Sequence, residues 1–366
     1  MTKQKQAPDY FLLFIILALL TIGMVMVYSA SEAWASYRFD DSFFFAKRQL
    51  FFAAVGVIFM FVIMNIDYWN WKSLSKIMLI ICFVLLVIVL IPGVGLVRGG
   101  ARSWLGVGAF SIQPSEFMKM AMIIFLAKYL SMNQKKITSF KKGLLPTLSL
   151  VMVAFAMIML QPDLGTGAVM VATCIVMIFV SGARTKHFVM LGFIGVLGFV
   201  GLIISAPYRI KRITSFLDPW SDPLGAGFQI IQSLYAIGPG GLMGMGLGES
   251  RQKYFYLPEP QTDFIFAILA EELGFIGGLI VLVLFGLLFW RGIRIALGAQ
   301  DLFGSLLSVG IISMVAIQVM INIGVVIGLF PVTGITLPLL SYGGSSLTLM
   351  LLSLGVLLNI SRHSRI

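Results

Sequence analysis

The stretch YLPEPQTDFIFAILAEELGFIG, Tyr256–Gly277, leads into an apolar run that reaches Trp290. A run of this kind crosses a hydrocarbon core, which takes roughly 20 predominantly apolar residues. Yet it opens on Asp263 and carries two adjacent glutamates, Glu271 and Glu272. Charges are expensive in a bilayer, so each one needs a reason. Thr262 can cap such a helix, which places Asp263 in its first turn, where the helix dipole favours a carboxylate. A partly desolvated carboxylate at that position can also accept a proton from a hydroxyl. The glutamates lie about 12 Å deeper, at about 1.5 Å per residue, and at that depth should face other helices or water.

The same reading extends along the chain. Of the 366 residues, 59% are hydrophobic and 11% charged, where a soluble domain carries roughly a quarter charged. Apolar runs at about 10–30, 46–66, 73–91, 115–132, 143–162, 164–182, 187–205, 264–290, 303–329 and 340–360 give the expected fold: an all-α polytopic membrane protein of about ten transmembrane helices, one membrane domain over 1–366. The first run exceeds the roughly 7–15 apolar residues of a signal peptide, so it reads as an uncleaved span. Cys82 and Cys174 sit inside apolar runs and suggest neither a disulfide framework nor a metal site. His187 and His363 lie at span ends beside basic residues and read as solvated or headgroup-level groups.

The net charge of +11 is spread through short connections, as orientation in a membrane requires, which argues against a nucleic-acid partner. Lys3, Lys5, Lys72, Lys76, Lys128, Lys135, Lys136, Lys141, Lys142, Arg184, Lys186, Arg291, Arg294, Arg362 and Arg365 fall at alternate connections. They place both termini in the cytoplasm. The opposite face has fewer basic residues, clustered at Lys47 and Arg48, Arg98 and Arg102, Arg209 to Arg212, and Arg251 and Lys253. These fit either headgroup anchoring or an anionic ligand handled outside. Two long connections on that face, 92–114 and 206–263, are expected to be extracytoplasmic functional loops, the second between spans 7 and 8. Their aromatics and glycines suggest short helices at the interface, for example Gly227–Gly238.

Several outer stretches concentrate polar groups. In RGGARSWLGVGAFSIQPSEFMKMA, Arg98–Ala121, Pro114 suits a first helical turn, and Glu116 and Lys119 share one face. They are either a local pair at a helix start or polar groups at a cavity mouth. In LQPDLGTG, Asp163 stands at an outer turn, as an N-cap or a site group. In YRIKRITSFLDP, Arg209 and Arg212 would share a helical face, and guanidinium forks suit phosphate. GLMGMGLGES, from Gly241, lacks the features of a nucleotide loop. PVTGITLPLLSYGGSS, Pro331–Ser346, breaks the apolar pattern at membrane depth, which is tolerated where backbone faces protein or a cavity. A Ser-Gly-rich helix start there could bind an anion through free N–H groups. The residues thus give a multi-span protein with an outward polar cavity, for a ligand with an anionic and a lipid-soluble part.

Together and in this order, GARSWL, QPSEFMK, QPDLGTG, YRIKRITSFLDP, GFQIIQSLYAIGPGGLMGMGLGES, KYFYLPEPQTDFIFAILAEELGF and PVTGITLPLLSYGGSS resemble the motifs of the SEDS family, the shape, elongation, division and sporulation proteins. The likeness covers nearly the whole chain and is nearer the division and sporulation branch than the elongation branch. It implies a peptidoglycan glycosyltransferase in the cytoplasmic membrane that polymerises lipid II on the outer face and releases undecaprenyl pyrophosphate. It implies as partners a class B penicillin-binding protein and other divisome or sporulation proteins. Asp263 matches the family's essential aspartate and takes the role of base. Lys119, Arg48, Arg209 and Arg212 are the cationic candidates for the pyrophosphate. Glu116, Trp104, Ser341, Ser345 and Ser346 match motif positions that shape the cavity, and Asp163 joins them as a substrate-binding candidate. A divalent cation could assist at the pyrophosphate, though the sequence offers no clear ligand set. Two rival readings remain. A lipid II flippase predicts polar residues through to the cytoplasmic side, and a non-catalytic scaffold for the penicillin-binding protein predicts a dispensable Asp263.

Overall fold

The computed structural model describes residues 6–98, 100–107, 110–205, 207–225 and 227–364; a few side chains within them, those of Arg98, Arg209 and Arg212 included, lie outside the description. A helix stands in each of the ten expected runs: α1 (Tyr10–Phe39), α2 (Phe44–Asn65), α3 (Trp69–Leu90), α4 (Pro114–Met132), α6 (Leu145–Met159), α7 (Leu164–Val180), α8 (Thr185–Ile204), α11 (Ile265–Gly298), α12 (Leu302–Val326) and α13 (Gly344–Ser361). Between them lie the short α5 (Gln134–Ile137), α9 (Pro207–Leu217) and α10 (Phe228–Ile237). Among the described residues, seven helices are long and apolar enough to cross a membrane; α7 is apolar but only 17 residues long.

Burial sorts these helices. The apolar stretch of α13 is 78% buried and that of α12 61%, against 28% for α3. α12 and α13 therefore form the centre of the bundle, with α4 and α7 packed on α12 and α2 along α13. The outer helices turn Ile58, Ile80 and Val84 outward, as lipid allows.

The termini meet at one end. The Asp9 amide donates to Ser361 Oγ (3.1 Å), the Gln6 amide to Arg362 O (3.1 Å), and Arg291 Nε pairs with Asp9 Oδ2 (2.5 Å). His363 departs from expectation here. It is buried, with Nδ1 3.1 Å from Asn359 O and its ring edge-on to Tyr68 and Trp69. The C-terminal turn folds back on the bundle and takes the imidazole out of water.

The opposite end holds the long connections, and two expectations change there. The 92–114 connection is not a short helix. It folds as a three-stranded antiparallel sheet, β1 (Leu96–Arg98), β2 (Ala101–Val107) and β3 (Phe110–Ile112). Arg98 pairs with Ala101, and Gly100 (φ +82°) takes the left-handed backbone that a tight turn between the two strands favours. The Gly227–Gly238 expectation holds, as α10. Secondly, α11 is broken. Gly274 has φ +65° and ψ −164°, and four interstrand-like bonds join the break to the glycine loop. Met245 N and Gly246 N donate to Glu271 O and Glu272 O (2.9 and 3.0 Å), and Phe275 N and Ile276 N donate to Gly241 O and Leu242 O (2.9 and 3.1 Å). A Cβ at Gly244 would lie 2.1 Å from Glu272 O. The glycines of GLMGMGLGES thus let one backbone press against another.

Candidate active site

Asp263 stands before its helix rather than inside it. α11 begins at Ile265, its first amides reach Phe264 O, and Thr262 Oγ1 donates to Glu259 O (3.0 Å) instead of capping. Tertiary bonds explain the difference. Asn322 Nδ2, on α12, donates to Asp263 O (2.8 Å) and to Ile335 O (2.7 Å). Ser341 Oγ donates to Thr262 O (2.6 Å) while accepting from the Leu337 amide (2.8 Å), and the Tyr342 amide donates to Gln261 O (2.8 Å). The carbonyls that would start the helix are claimed by two other segments. The half-buried Asp263 carboxylate is thereby held beside Gly334, whose Cβ, if present, would lie 3.7 Å from Oδ2.

The neighbouring walls close a ring. Pro114 and Glu116 give α4 a favourable first turn, which places Lys119 Nζ 2.7 Å from Glu116 Oε1. Lys119 is only 2% exposed, so this is an ion pair largely withdrawn from water. Ser346 Oγ, on α13, donates to Glu116 Oε2 (3.3 Å). Asp163 caps α7 by accepting from the Thr166 amide (3.1 Å), and its other oxygen accepts from Gln113 Nε2 (2.8 Å) and Ser115 Oγ (3.2 Å). Burial pushes the Asp163 carboxyl above the usual carboxylate range. The Glu116 charge adds to the rise, and the bonds from Thr166 and Ser115 oppose it. The α7 start in turn meets the 333–335 segment, where a Cβ on Gly165 would lie 2.8 Å from Thr333 O.

The fourth wall is the 331–343 segment, irregular backbone inside protein as expected, with Leu337, Leu339 and Leu340 buried. It feeds α13, whose N-terminus has no side-chain cap. Ser345 Oγ is buried without a hydrogen-bond partner among the described residues. On α2, Arg48 holds its guanidinium 4.0 Å over the Phe44 ring of its own helix; the next residue, buried Gln49, reaches the ring, donating to Ser341 O (3.1 Å) and accepting from the Gly343 amide (3.2 Å). Trp104 lies on β2, opposite Leu96. Arg209 and Arg212 belong to α9, with side chains outside the described residues. Thus Asp263, Asp163, Glu116, Lys119, Ser341 and Ser346 are tied into one ring of contacts. Among the described residues no group of three or more His, Cys, Asp or Glu could hold a metal ion.

A family model for cell cycle proteins, FtsW/RodA/SpoVE, matches residues 10–366. The chain belongs to that family. It is similar along its whole length to stage V sporulation protein E of Bacillus subtilis strain 168, at 74% identity over 365 residues and 100% coverage of both chains. It is 44% identical over 363 residues to a probable peptidoglycan glycosyltransferase FtsW of Geobacter sp. strain M18, covering 99% of each. Among solved structures, one described as structural coordination of polymerization and crosslinking by a peptidoglycan synthase complex matches with TM-score 0.81 at 33% identity, over 97% of this chain and 98% of that one. The Thermus thermophilus rod shape determining protein RodA matches with TM-score 0.72 at 31% identity, over 97% of each. The higher identities thus fall on the sporulation and division side of the FtsW/RodA/SpoVE family, and the helical membrane fold is the family's.

Three groups in this site went unremarked in the sequence: Gln49, Asn322 and Gln113. Gln49 and Asn322 had a signal. Each is an amide within an apolar run, where a polar group needs partners. Glu271 and Glu272 belong elsewhere. They are buried 21 and 22 residues from Ser250, with Ser250 Oγ donating to Glu271 (2.5 Å) and Ser29 Oγ to Glu272 (2.6 Å), and they clasp the glycine loop to α11.

Proposed function

We propose that the chain is a peptidoglycan glycosyltransferase that polymerises lipid II on the outer face of the cytoplasmic membrane. The arrangement that carries the reading is one network of contacts that ties half-buried Asp263, through the 331–343 segment, to the uncapped start of α13 and the buried Lys119–Glu116 pair. In the reaction the 4-hydroxyl of an N-acetylglucosamine attacks C1 of N-acetylmuramic acid on a second lipid II. The C1–oxygen bond to undecaprenyl pyrophosphate breaks, and the anomeric centre inverts. Asp263 takes the hydroxyl proton as the new bond forms. Lys119, Arg48 and the free amides of α13 receive the negative charge that develops on the leaving pyrophosphate, typically the larger contribution to rate. Glu116 holds Lys119 in place, Asp163 holds the α4 and α7 starts together, and Ser345 and Ser346 line the α13 end. Arg209 and Arg212 extend the cationic side from the outer loop. A divalent cation, where one takes part, would arrive on the pyrophosphate rather than at a resident ligand set. The partner is a class B penicillin-binding protein, with other divisome or sporulation proteins around it.

The test is lipid II polymerisation by purified protein with its penicillin-binding partner, the partner's transpeptidase blocked. Glycan strands are expected, and a divalent-cation requirement would show as polymer lost on adding a chelator and restored by the metal. Lipid II crossing in liposomes without polymer would instead support the flippase.

A further inference from the structure

Outside the ring lies a second groove of about 420 Å³, within the size range of small-ligand sites. It is lined by Glu32, Ser36 and Tyr37 from the end of α1, Ser42 from the α1–α2 turn, and Tyr254 and Phe255 from the long loop. Its chemistry is mixed: aromatic faces on the walls, with a carboxylate and two hydroxyls between them. Phe255 sits edge-on to Trp34 (5.8 Å between centroids) and to Tyr37 (5.3 Å). It does so with φ +66°, a left-handed backbone unfavourable for a bulky side chain. Beneath, Lys253 is 1% exposed and stands 3.6 Å from Glu32 Oε2, with its ammonium also donating to Gly248 O. The lysine fixes Glu32 from below and leaves the half-exposed carboxylate turned to the groove. Tyr37 is 78% exposed and Phe255 54%, so both rings offer open faces to a ligand.

The groove is joined to the ring by aromatic contacts. Tyr342, next to Ser341, meets Phe45; Phe45 meets Phe44 and Phe39; and Arg38 lies over both Phe39 and Trp34. We infer that this groove is a saccharide subsite that holds the growing glycan strand after it leaves the ring. Pyranose rings offer flat C–H faces that stack on aromatics, and hydroxyls and acetamido N–H groups that donate to a carboxylate. Glu32 supplies that acceptor, Ser36 and Ser42 exchange hydrogen bonds, and Tyr37, Tyr254 and Phe255 supply the faces. The inference rests on the polymerase reading, because the ligand is that reaction's product.

The experiment uses the full chain in nanodiscs, with its partner for activity. The variants are Tyr37→Ala, Glu32→Gln and Phe255→Gly, the last keeping the φ +66° backbone without strain. Binding is read by saturation-transfer NMR with N-acetylglucosamine oligomers, which contain no lipid or pyrophosphate. The expected result is binding weakened by up to about tenfold in each variant, as the loss of one stacked or bonded contact implies, with shorter strands at an unchanged rate of first-bond formation. Equal oligomer binding and equal strand length in all variants would overturn the subsite. So would variants altered only in melting temperature or in response to lipid vesicles, which would make the groove an interfacial anchor. If the wild type makes no polymer, the function fails while the binding measurement still decides the groove.

Discussion

Lys119 and Glu116 show how much a single charge matters at this site. Removing one partner of a buried pair strands the other and costs about 3–5 kcal/mol. Lys119→Met should therefore lower the melting temperature in detergent more than the Glu116→Gln/Lys119→Met double variant, with both inactive in polymerisation. Equal melting of the two would show that the pair is solvated. Asp163 makes a pH prediction. Its folded pKa is raised, so between the unfolded value near 3.8 and that raised value the native state keeps a proton the unfolded chain has lost. Stability should fall as pH rises through this window and level off above it. Asp163→Asn keeps a capping side chain and should flatten that slope, which thermal unfolding across pH would read. At this scale the sequence was informative where a polar residue interrupted an apolar run or matched a motif. Asp263's exact setting was not legible, because Asn322 and Ser341, 59 and 79 residues away along the chain from Asp263 and Thr262, take the carbonyls that would otherwise begin the helix.

The elements were largely readable from length and hydropathy, since an apolar run that must satisfy its backbone in lipid becomes a helix. Two were not. The 92–114 sheet turns at Gly100, a signal present in the sequence but outweighed by the helical context. The break in α11 depends on pairing with a loop more than 25 residues upstream, which no local pattern reveals. It does make a sharp prediction. Gly274→Ala forces a side chain into φ +65° and places Cβ 2.3 Å from the Gly244 amide nitrogen, so the protein should lose more than about 2 kcal/mol or fail to accumulate folded. Gly286→Ala, in the same helix with open space around it, should be neutral within about 0.5 kcal/mol. Thermal unfolding of the two in detergent makes the comparison, and equal effects would mean the break is not held by the glycine loop.

The whole molecule is a bundle with α12 and α13 at its centre, termini gathered at one end and the ring of polar groups at the other. The proposed sidedness rests on the basic connections and has a direct check. A cysteine at exposed Leu247 should react with a membrane-impermeant thiol reagent in intact protoplasts, and one at exposed Leu297 only after lysis; Cys82 and Cys174, both buried, stay silent in either case. The reverse labelling would invert the molecule and move the ring to the cytoplasm. Whether Asp263 is the base of a glycan polymerase is decided by one comparison. Wild type and Asp263→Asn, both purified with the partner and shown to melt alike, are given lipid II with transpeptidation blocked. The change keeps size and removes the proton acceptor. Strands are expected from the wild type, with polymer reduced at least about 100-fold in the variant, the scale of a general base. Equal polymer from both would contradict it.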